Sequence, residues 1–173
     1  MTRSGRGSST HALRLIFGGV FDRFPTARLL LGHMGEGLPF VLWRLDSRWN
    51  FHHHHGVKLD RDKPSEYLRE NLYVVTSGVC SAPPLLASMQ AIGADHILFG
   101  TDYPFESMEV ACRFLETAPV SEIDREKISF RNAERILNLG RCLSIAAQVH
   151  SAMAAAQGVS AAGSGASALN SSA

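Results

Sequence analysis

The stretch that decides the fold is Ile97-Leu-Phe-Gly-Thr-Asp102-Tyr-Pro104, in which a short apolar run ends at a glycine and an acidic residue follows at once. Two comparable stretches come earlier in the chain, Arg28-Leu-Leu-Leu-Gly-His33 and Leu72-Tyr-Val-Val-Thr-Ser-Gly78. Short apolar runs bounded by turn residues are typical of strands that are buried on both faces. Segments of helical length separate the three runs, so the sequence predicts a parallel sheet with right-handed crossovers.

The segments between the predicted strands carry helix-start signals and apolar residues at helical spacing. They give the order α-β-α-β-α-β-α-α, with strands at residues 28–31, 72–76 and 97–99. The α segments of this order hold seven predicted helices in all, which begin at or near Thr10, Pro39, Ser65, Pro83, Glu106, Ser121 and Phe130. Pro25 is predicted to end the first of them. Three strands cannot close a barrel, which takes eight. The pattern therefore leaves open a free-standing three-stranded sheet and part of a larger barrel.

The composition is that of an ordinary globular protein, with 45% hydrophobic and 19% charged residues. The net charge of +1 gives no reason to expect nucleic acid or a membrane surface as a partner. No apolar run approaches the roughly 20 residues that span a bilayer. The three cysteines are scattered, which favours reduced thiols and a cytoplasmic protein over a disulfide framework.

The two ends of the chain differ in composition from its body. Residues 1–9 are polar and rich in glycine and serine, and residues 141–173 contain no Asp or Glu and are dominated by Ala, Ser and Gly. Such segments bury too little apolar surface to offset the entropy of ordering. We therefore predict a disordered N-terminus at 1–9, one folded domain at 10–140 and a disordered tail at 141–173.

Polar residues that can carry chemistry follow all three predicted strands. His33 and Glu36 come after the first strand, Thr76-Ser-Gly78 after the second, and Asp102 after the third. Ligands of parallel α/β folds bind at the carboxyl ends of the strands. A His and an Asp at that edge can share a metal or exchange protons. Glu36 can accept a hydrogen bond from the imidazole of His33 and thereby fix its tautomer.

Each of these residues also has a purely structural interpretation. A single His after a strand is more often a hydrogen-bonding residue than a catalyst, and Asp102 can cap a turn or the following helix. Arg44 can lie in solvent with its stem over Trp43, or it can clamp a carboxylate in a bidentate manner. The four histidines at 52–55 stand in a polar loop, where they would bind stray metal ions only weakly.

A set of motifs spread over roughly residues 11–139 resembles one known family. The motifs are Gly19-Val-Phe-Asp-Arg-Phe-Pro25, Leu30-Leu-Gly-His-Met-Gly-Glu-Gly-Leu-Pro-Phe40, Trp43-Arg-Leu-Asp46, Glu70-Asn-Leu-Tyr-Val-Val-Thr-Ser-Gly78, His96-Ile-Leu-Phe-Gly-Thr-Asp-Tyr-Pro-Phe105 and Asn132-Ala-Glu-Arg-Ile-Leu137. In content, order and spacing they resemble the amidohydrolase-related decarboxylases, which act on acids such as γ-resorcylate, 2,3-dihydroxybenzoate and 5-carboxyvanillate. The resemblance implies an α/β fold that is the C-terminal portion, about three β/α units, of a (β/α)₈ barrel.

The resemblance also implies a site and a reaction. Asp102 would bind a single divalent metal, zinc or manganese, and would protonate the ring carbon that loses CO₂. His33 would be the active-site histidine with Glu36 as its hydrogen-bonded partner. Arg44 and Phe105 would contact the substrate, with Arg44 reaching the site of a neighbouring subunit. The implied reaction is the non-oxidative decarboxylation of a small hydroxylated aromatic acid.

The sequence departs from the family pattern in its metal ligands. The family's first strand carries a metal-binding Glu-x-Ala or His-x-His motif, and a later strand carries a metal-binding His; neither is found here. We therefore expect weak or absent metal binding, and either a homo-oligomer or a missing N-terminal half supplied in trans. Two other functions remain open, namely a hydrolase of a lactone or cyclic amide and a non-catalytic half-barrel that completes a partner subunit.

Overall fold

A computed structural model describes residues 7–51 and 56–139. The predicted tail at 141–173 and the four histidines at 52–55 lie outside the described residues. The chain divides into two units, Met1–Ala133 and Glu134–Ala173. The first unit contains the sheet and all the residues considered below, and the described part of the second is the end of the last helix.

The centre of the first unit is a parallel sheet of three strands in the order β1-β2-β3. The strands are β1 (Leu29–Leu31), β2 (Leu72–Val75) and β3 (Ile97–Leu98). Leu31 pairs with Val74, and Val74 pairs with Ile97, so the carboxyl ends of the strands share one edge. The predicted α/β class and all three predicted strands are confirmed, and each strand is one residue shorter than the predicted run.

The helices follow the predicted order. They are α1 (Gly7–Phe17), α2 (Val20–Arg23), α3 (Leu42–Phe51), α4 (Pro64–Glu70), α5 (Ala82–Ile92), α6 (Met108–Thr117), α7 (Glu122–Glu126) and α8 (Asn132–Leu137). Tighter or wider turns occupy His33–Val41, Ala94–His96 and Lys127–Arg131. Within the part of the chain that the structure describes, none of these helices has the length and hydropathy of a membrane-spanning segment.

Two helices begin three residues away from their predicted starts, whereas the other predicted starts are within two residues. The first helix begins at Gly7, so residues 7–9, which the sequence assigned to a disordered N-terminus, form its first turn. The same helix was predicted to run to Pro25, but Gly19 adopts a φ of 67° and separates α1 from α2. The helix predicted to open at Pro39 begins only at Leu42, because the residues before it form an irregular turn.

The hydrophobic core joins one face of the sheet to the surrounding helices. Leu31, Val74 and Ile97 are at most 5% exposed and belong to one cluster with helix residues. The largest fully buried helix and turn residues of that cluster are Ile16, Leu38, Tyr67, Leu68, Leu85 and Ile128. Because this core is close-packed, it fixes the relative positions of the strand ends.

Two buried asparagines tie the beginnings of the outer strands to the rest of the fold. The Asn71 side-chain amide donates to the carbonyls of Pro25 and Ala27, which lead into β1, at 2.9 Å each. The Asn132 amide likewise donates to the carbonyls of Ala94 and Ile97 at 2.8 and 2.7 Å. Each amide thus supplies two donors to main-chain carbonyls.

Asn71→Ala should lower the free energy of unfolding by about 1–3 kcal/mol, because it leaves two carbonyls without donors in a site that is 4% exposed. Chemical denaturation monitored by circular dichroism measures the change. Gln90→Ala removes an exposed amide from α5 and should change stability by less than about 0.5 kcal/mol. Equal losses in the two variants would contradict the anchoring role of Asn71.

Candidate active site

Two of the predicted site residues meet across the carboxyl edge of the sheet, and a third joins them. Nε2 of His33 lies 3.6 Å from Oδ2 of Asp102. Nδ1 of the same ring lies 3.3 Å from Oε1 of Glu36. The side chain of Glu36 is 3% exposed, whereas those of His33 and Asp102 are 44% and 29% exposed. One imidazole therefore bridges a buried carboxylate and a partly solvated one.

His33 and Glu36 are brought together by a left-handed turn. The φ angles of His33, Met34, Gly35, Glu36 and Gly37 are 52°, 53°, 74°, 49° and 86°. Each non-glycine residue in this region costs on the order of 1 kcal/mol, so the conformation persists only because surrounding contacts hold it. Burial of Met34, which is 2% exposed, is one such contact. The turn places residues three apart in sequence on one side of the backbone.

Two serines hold this turn from different parts of the chain. The backbone N–H of His33 donates to Oγ of Ser77, after β2, at 3.2 Å. The backbone N–H of Ser9, on α1, donates to Oε2 of Glu36 at 3.3 Å. The Ser9 hydroxyl lies 3.3 and 3.2 Å from the carbonyl oxygens of Gly35 and Glu36. The turn is thus bonded to both a helix and a strand end.

The Asp102 carboxylate does not serve as a helix cap. Asp102 has a φ of 66°, and its main-chain carbonyl accepts the N–H groups of Phe105 and Glu106 at 2.9 and 3.2 Å. The following helix is capped by Ser107, whose hydroxyl accepts the N–H of Val110 at 3.4 Å. The structural role considered for Asp102 therefore belongs to its backbone and to Ser107, and its side chain faces His33.

Residues after β2 set the distance between His33 and Asp102. The Thr76 hydroxyl bonds both the carbonyl and the N–H of Gly100 at 3.0 Å, which joins the ends of β2 and β3. Gly78 lies between the two functional side chains, and a Cβ built there would be 3.0 Å from both Asp102 Oδ2 and His33 Cδ2. The sequence signals this role only as a Thr-Ser-Gly run at the end of a strand.

The two predicted substrate contacts are both exposed. Phe105 lies on the Asp102 turn and is 85% exposed. Arg44 is exposed on α3. The neighbouring Asp46 has a structural role, since its carboxylate accepts the N–H and the hydroxyl of Ser65 at the start of α4, at 3.0 and 2.7 Å.

The residues present do not make a complete divalent-metal site. Asp102 and His33 offer one carboxylate and one ring nitrogen, and the other ring nitrogen faces Glu36. Over residues 7–51 and 56–139, no three or more His, Cys, Asp or Glu side chains converge in a way that could hold a metal ion. Catalytic zinc sites have three protein ligands as a rule. Asp102, the predicted metal ligand, would supply one of them.

Gly78→Ala should destabilise the fold by about 2–4 kcal/mol, because the new methyl group meets His33 and Asp102 in addition to the cost of a φ of 69°. Gly37→Ala is the matched control, since its φ is 86° and a Cβ there meets nothing within 4 Å. It should cost only about 1–2 kcal/mol. Denaturant unfolding of both variants measures the difference, and equal losses would contradict the close approach at Gly78.

The sequence of this chain matches a known family profile and is similar to two curated decarboxylases. The profile of a family described as Amidohydrolase matches residues 7–139. The chain is 40% identical over 142 residues to a gamma-resorcylate decarboxylase from Polaromonas sp. strain JS666, covering 79% of this chain and 42% of that protein. It is 40% identical over 137 residues to a gamma-resorcylate decarboxylase from Rhizobium sp. strain MTP-10005, covering 76% and 40%.

The structure is also similar to solved structures of decarboxylases. A 5-carboxyvanillate decarboxylase from Sphingomonas paucimobilis superposes with a TM-score of 0.73 at 42% identity, over 76% of this chain and 40% of that one. A dihydroxybenzoic acid decarboxylase from Polaromonas sp. JS666, with bound manganese and the inhibitor 2-nitroresorcinol, gives 0.74 at 41% identity, over 79% and 41%. The chain thus spans about two fifths of the length of the relatives it matches.

Proposed function

Because the chain belongs to the amidohydrolase family over residues 7–139, we propose that it supplies the proton-handling part of a site that decarboxylates hydroxylated aromatic acids. The observation that carries the proposal is the His33 imidazole between the Glu36 and Asp102 carboxylates at the carboxyl edge of the sheet. The proposal draws further support from the similarity to gamma-resorcylate and dihydroxybenzoic acid decarboxylases.

The reaction exchanges one proton for one molecule of CO₂. Asp102, in its acid form, donates a proton to the ring carbon that carries the carboxylate. The bond between that carbon and the carboxylate carbon then breaks, its electron pair returns to the ring, and CO₂ leaves. A ring hydroxyl beside the carboxylate makes this carbon electron-rich, which favours its protonation. A positioned acid contributes to such a step by about 10²–10⁴-fold.

His33 restores the proton to Asp102. Glu36, when ionised, only accepts hydrogen bonds, so its contact with Nδ1 requires the proton on that nitrogen. Nε2 is then the nitrogen that faces Asp102 and exchanges a proton with it. Because the His33 side chain is 44% exposed, protons from solvent can reach the ring. The roles of Glu36, His33 and Asp102 are thus orientation, relay and donation.

The described residues do not supply a full set of ligands for a divalent metal. Manganese is bound in the decarboxylase structure from Polaromonas. In this protein a zinc or manganese ion held by Asp102 would need further ligands, from another segment of a barrel or from another chain. We therefore propose that the working form is a homo-oligomer or a complex with the remaining barrel segments, and that it acts in the cytoplasm. Arg44 and Phe105 remain proposed contacts to a small aromatic carboxylic acid.

The first test combines the purified chain with 2,6-dihydroxybenzoate and Mn²⁺ or Zn²⁺, alone and with the N-terminal segment of the Polaromonas relative added in trans. We expect resorcinol and CO₂ when the segment is present. Asp102→Asn should lower the rate at least about 100-fold, because it removes the proton donor. Asp62→Asn, which neutralises an exposed carboxylate, should leave the rate unchanged. Chromatography of the product measures the rate.

Three outcomes would count against the proposal. An assembly that binds metal but turns over no aromatic acid would exclude decarboxylation by this site. Turnover that survives Asp102→Asn would exclude its role as donor. Hydrolysis of a lactone without decarboxylation would favour the hydrolase alternative instead.

A further inference from the structure

We propose that Ser9 is a positioning residue for the site, in that it fixes the Glu36 carboxylate and, through Glu36, the tautomer of His33. The inference rests on the proposed function for the importance of that tautomer, although its geometric basis is independent. Ser9 belongs to the first turn of α1 and lies 27 residues before Glu36 in sequence. No functional signal marks it, since it stands in a Gly/Ser-rich stretch of the N-terminus.

The two oxygens of Glu36 have different partners. Oε1 faces Nδ1 of His33 at 3.3 Å, and Oε2 accepts the backbone N–H of Ser9 at 3.3 Å. A carboxylate held at both oxygens cannot rotate about its terminal bond without losing one of these contacts. Because the side chain is 3% exposed, water is poorly placed to replace a lost partner. Ser9 therefore determines which oxygen is presented to His33 and in what orientation.

The helix supplies a favourable charge environment for this arrangement. The N–H groups of the first turn of a helix have no partner within the helix, and an anion near them is stabilised. Ser9 is the third residue of the 11-residue α1, so its N–H belongs to that set. A carboxylate oxygen that accepts at Nδ1 favours the tautomer with the proton on Nδ1.

The Ser9 hydroxyl adds a second constraint. Its single proton is shared between the carbonyls of Gly35 and Glu36, which lie 3.3 and 3.2 Å away within the left-handed turn. Loss of the hydroxyl should loosen the turn and hence the position of Glu36. A purely structural anchor would show the same contacts, so the test needs a readout on the His33 ring itself.

That readout is the distribution of the ring proton between Nδ1 and Nε2, measured by ¹⁵N NMR of the full chain at alkaline pH, where an imidazole is neutral. His33→Gln identifies the signals. Ser9→Ala removes the hydroxyl and should move the ratio about twofold toward Nε2–H. Ser9→Pro also removes the N–H, in a helix turn that tolerates proline, and should move it about fivefold. Ser9→Thr keeps both donors and should restore the wild-type ratio.

Ser8 provides the matched controls, because it stands in the same helical turn. Ser8→Ala and Ser8→Pro should leave the His33 ratio unchanged even where they lower the unfolding temperature. The proposal is overturned if Ser9→Ala and Ser9→Pro reduce stability while the ratio stays at its wild-type value, or if the Ser8 variants shift the ratio equally. If Ser9→Pro does not fold, Ser9→Ala and Ser9→Thr still decide the question. No substrate is present, so failure of decarboxylation would leave this result intact.

Discussion

The left-handed turn from His33 to Gly37 is the constraint on which the site depends. A chain of L-residues avoids this conformation, and three of its five residues are not glycine. The same backbone in an ordinary extended loop would place His33 and Glu36 on different sides of the chain. In the turn they share one side, and the imidazole is aimed across the strand ends at Asp102. The strain of the turn is therefore tied directly to the function we propose.

That strain is offset by contacts from elements on several sides. Burial of Met34 secures the middle of the turn, Ser77 bonds its first residue, and Ser9 bonds Gly35 and Glu36. Asp102 is also held at positive φ, and its carbonyl is bonded within its own loop. Both partners of the His33–Asp102 contact thus occupy costly conformations that the surrounding structure maintains. Such pre-organisation reduces the rearrangement that a substrate would have to induce.

The sequence predicted the sheet well because its evidence is local. Three apolar runs that end in glycine or threonine predict buried strands. Parallel pairing brings the carboxyl ends of these strands to one edge of the sheet, independent of the loop conformations. This reasoning was sufficient to place His33 near Asp102. It was insufficient for Ser9, because the contact with Glu36 depends on where α1 packs, which no local pattern encodes. The helix start at Gly7 and the break at Gly19 were missed for a related reason, since glycine is compatible with disorder, helix ends and turns alike.

The predicted structural alternatives were also decided by packing. The sequence alone allows Asp102 to cap the next helix, but in the structure Ser107 occupies the cap position. Asp46, by contrast, lies in a stretch that resembles a decarboxylase motif, and its carboxylate holds the start of α4 through Ser65. A stretch that resembles a family motif can thus contain a residue with a structural role. The contacts of each side chain distinguish a residue that positions reacting groups from one that holds a helix in place.

The proton-handling groups and the metal site differ in how much of the fold they require. Every contact that orients His33, from Ser9, Ser77, Glu36 and Asp102, lies within the described part of this chain. Their geometry therefore needs no residue beyond those described. A divalent metal is different, because a catalytic zinc site takes three protein ligands as a rule and no three metal-ligating side chains converge within residues 7–51 and 56–139. The proton relay that we propose thus rests on contacts present among the described residues, whereas the metal site that we propose needs ligands from outside them.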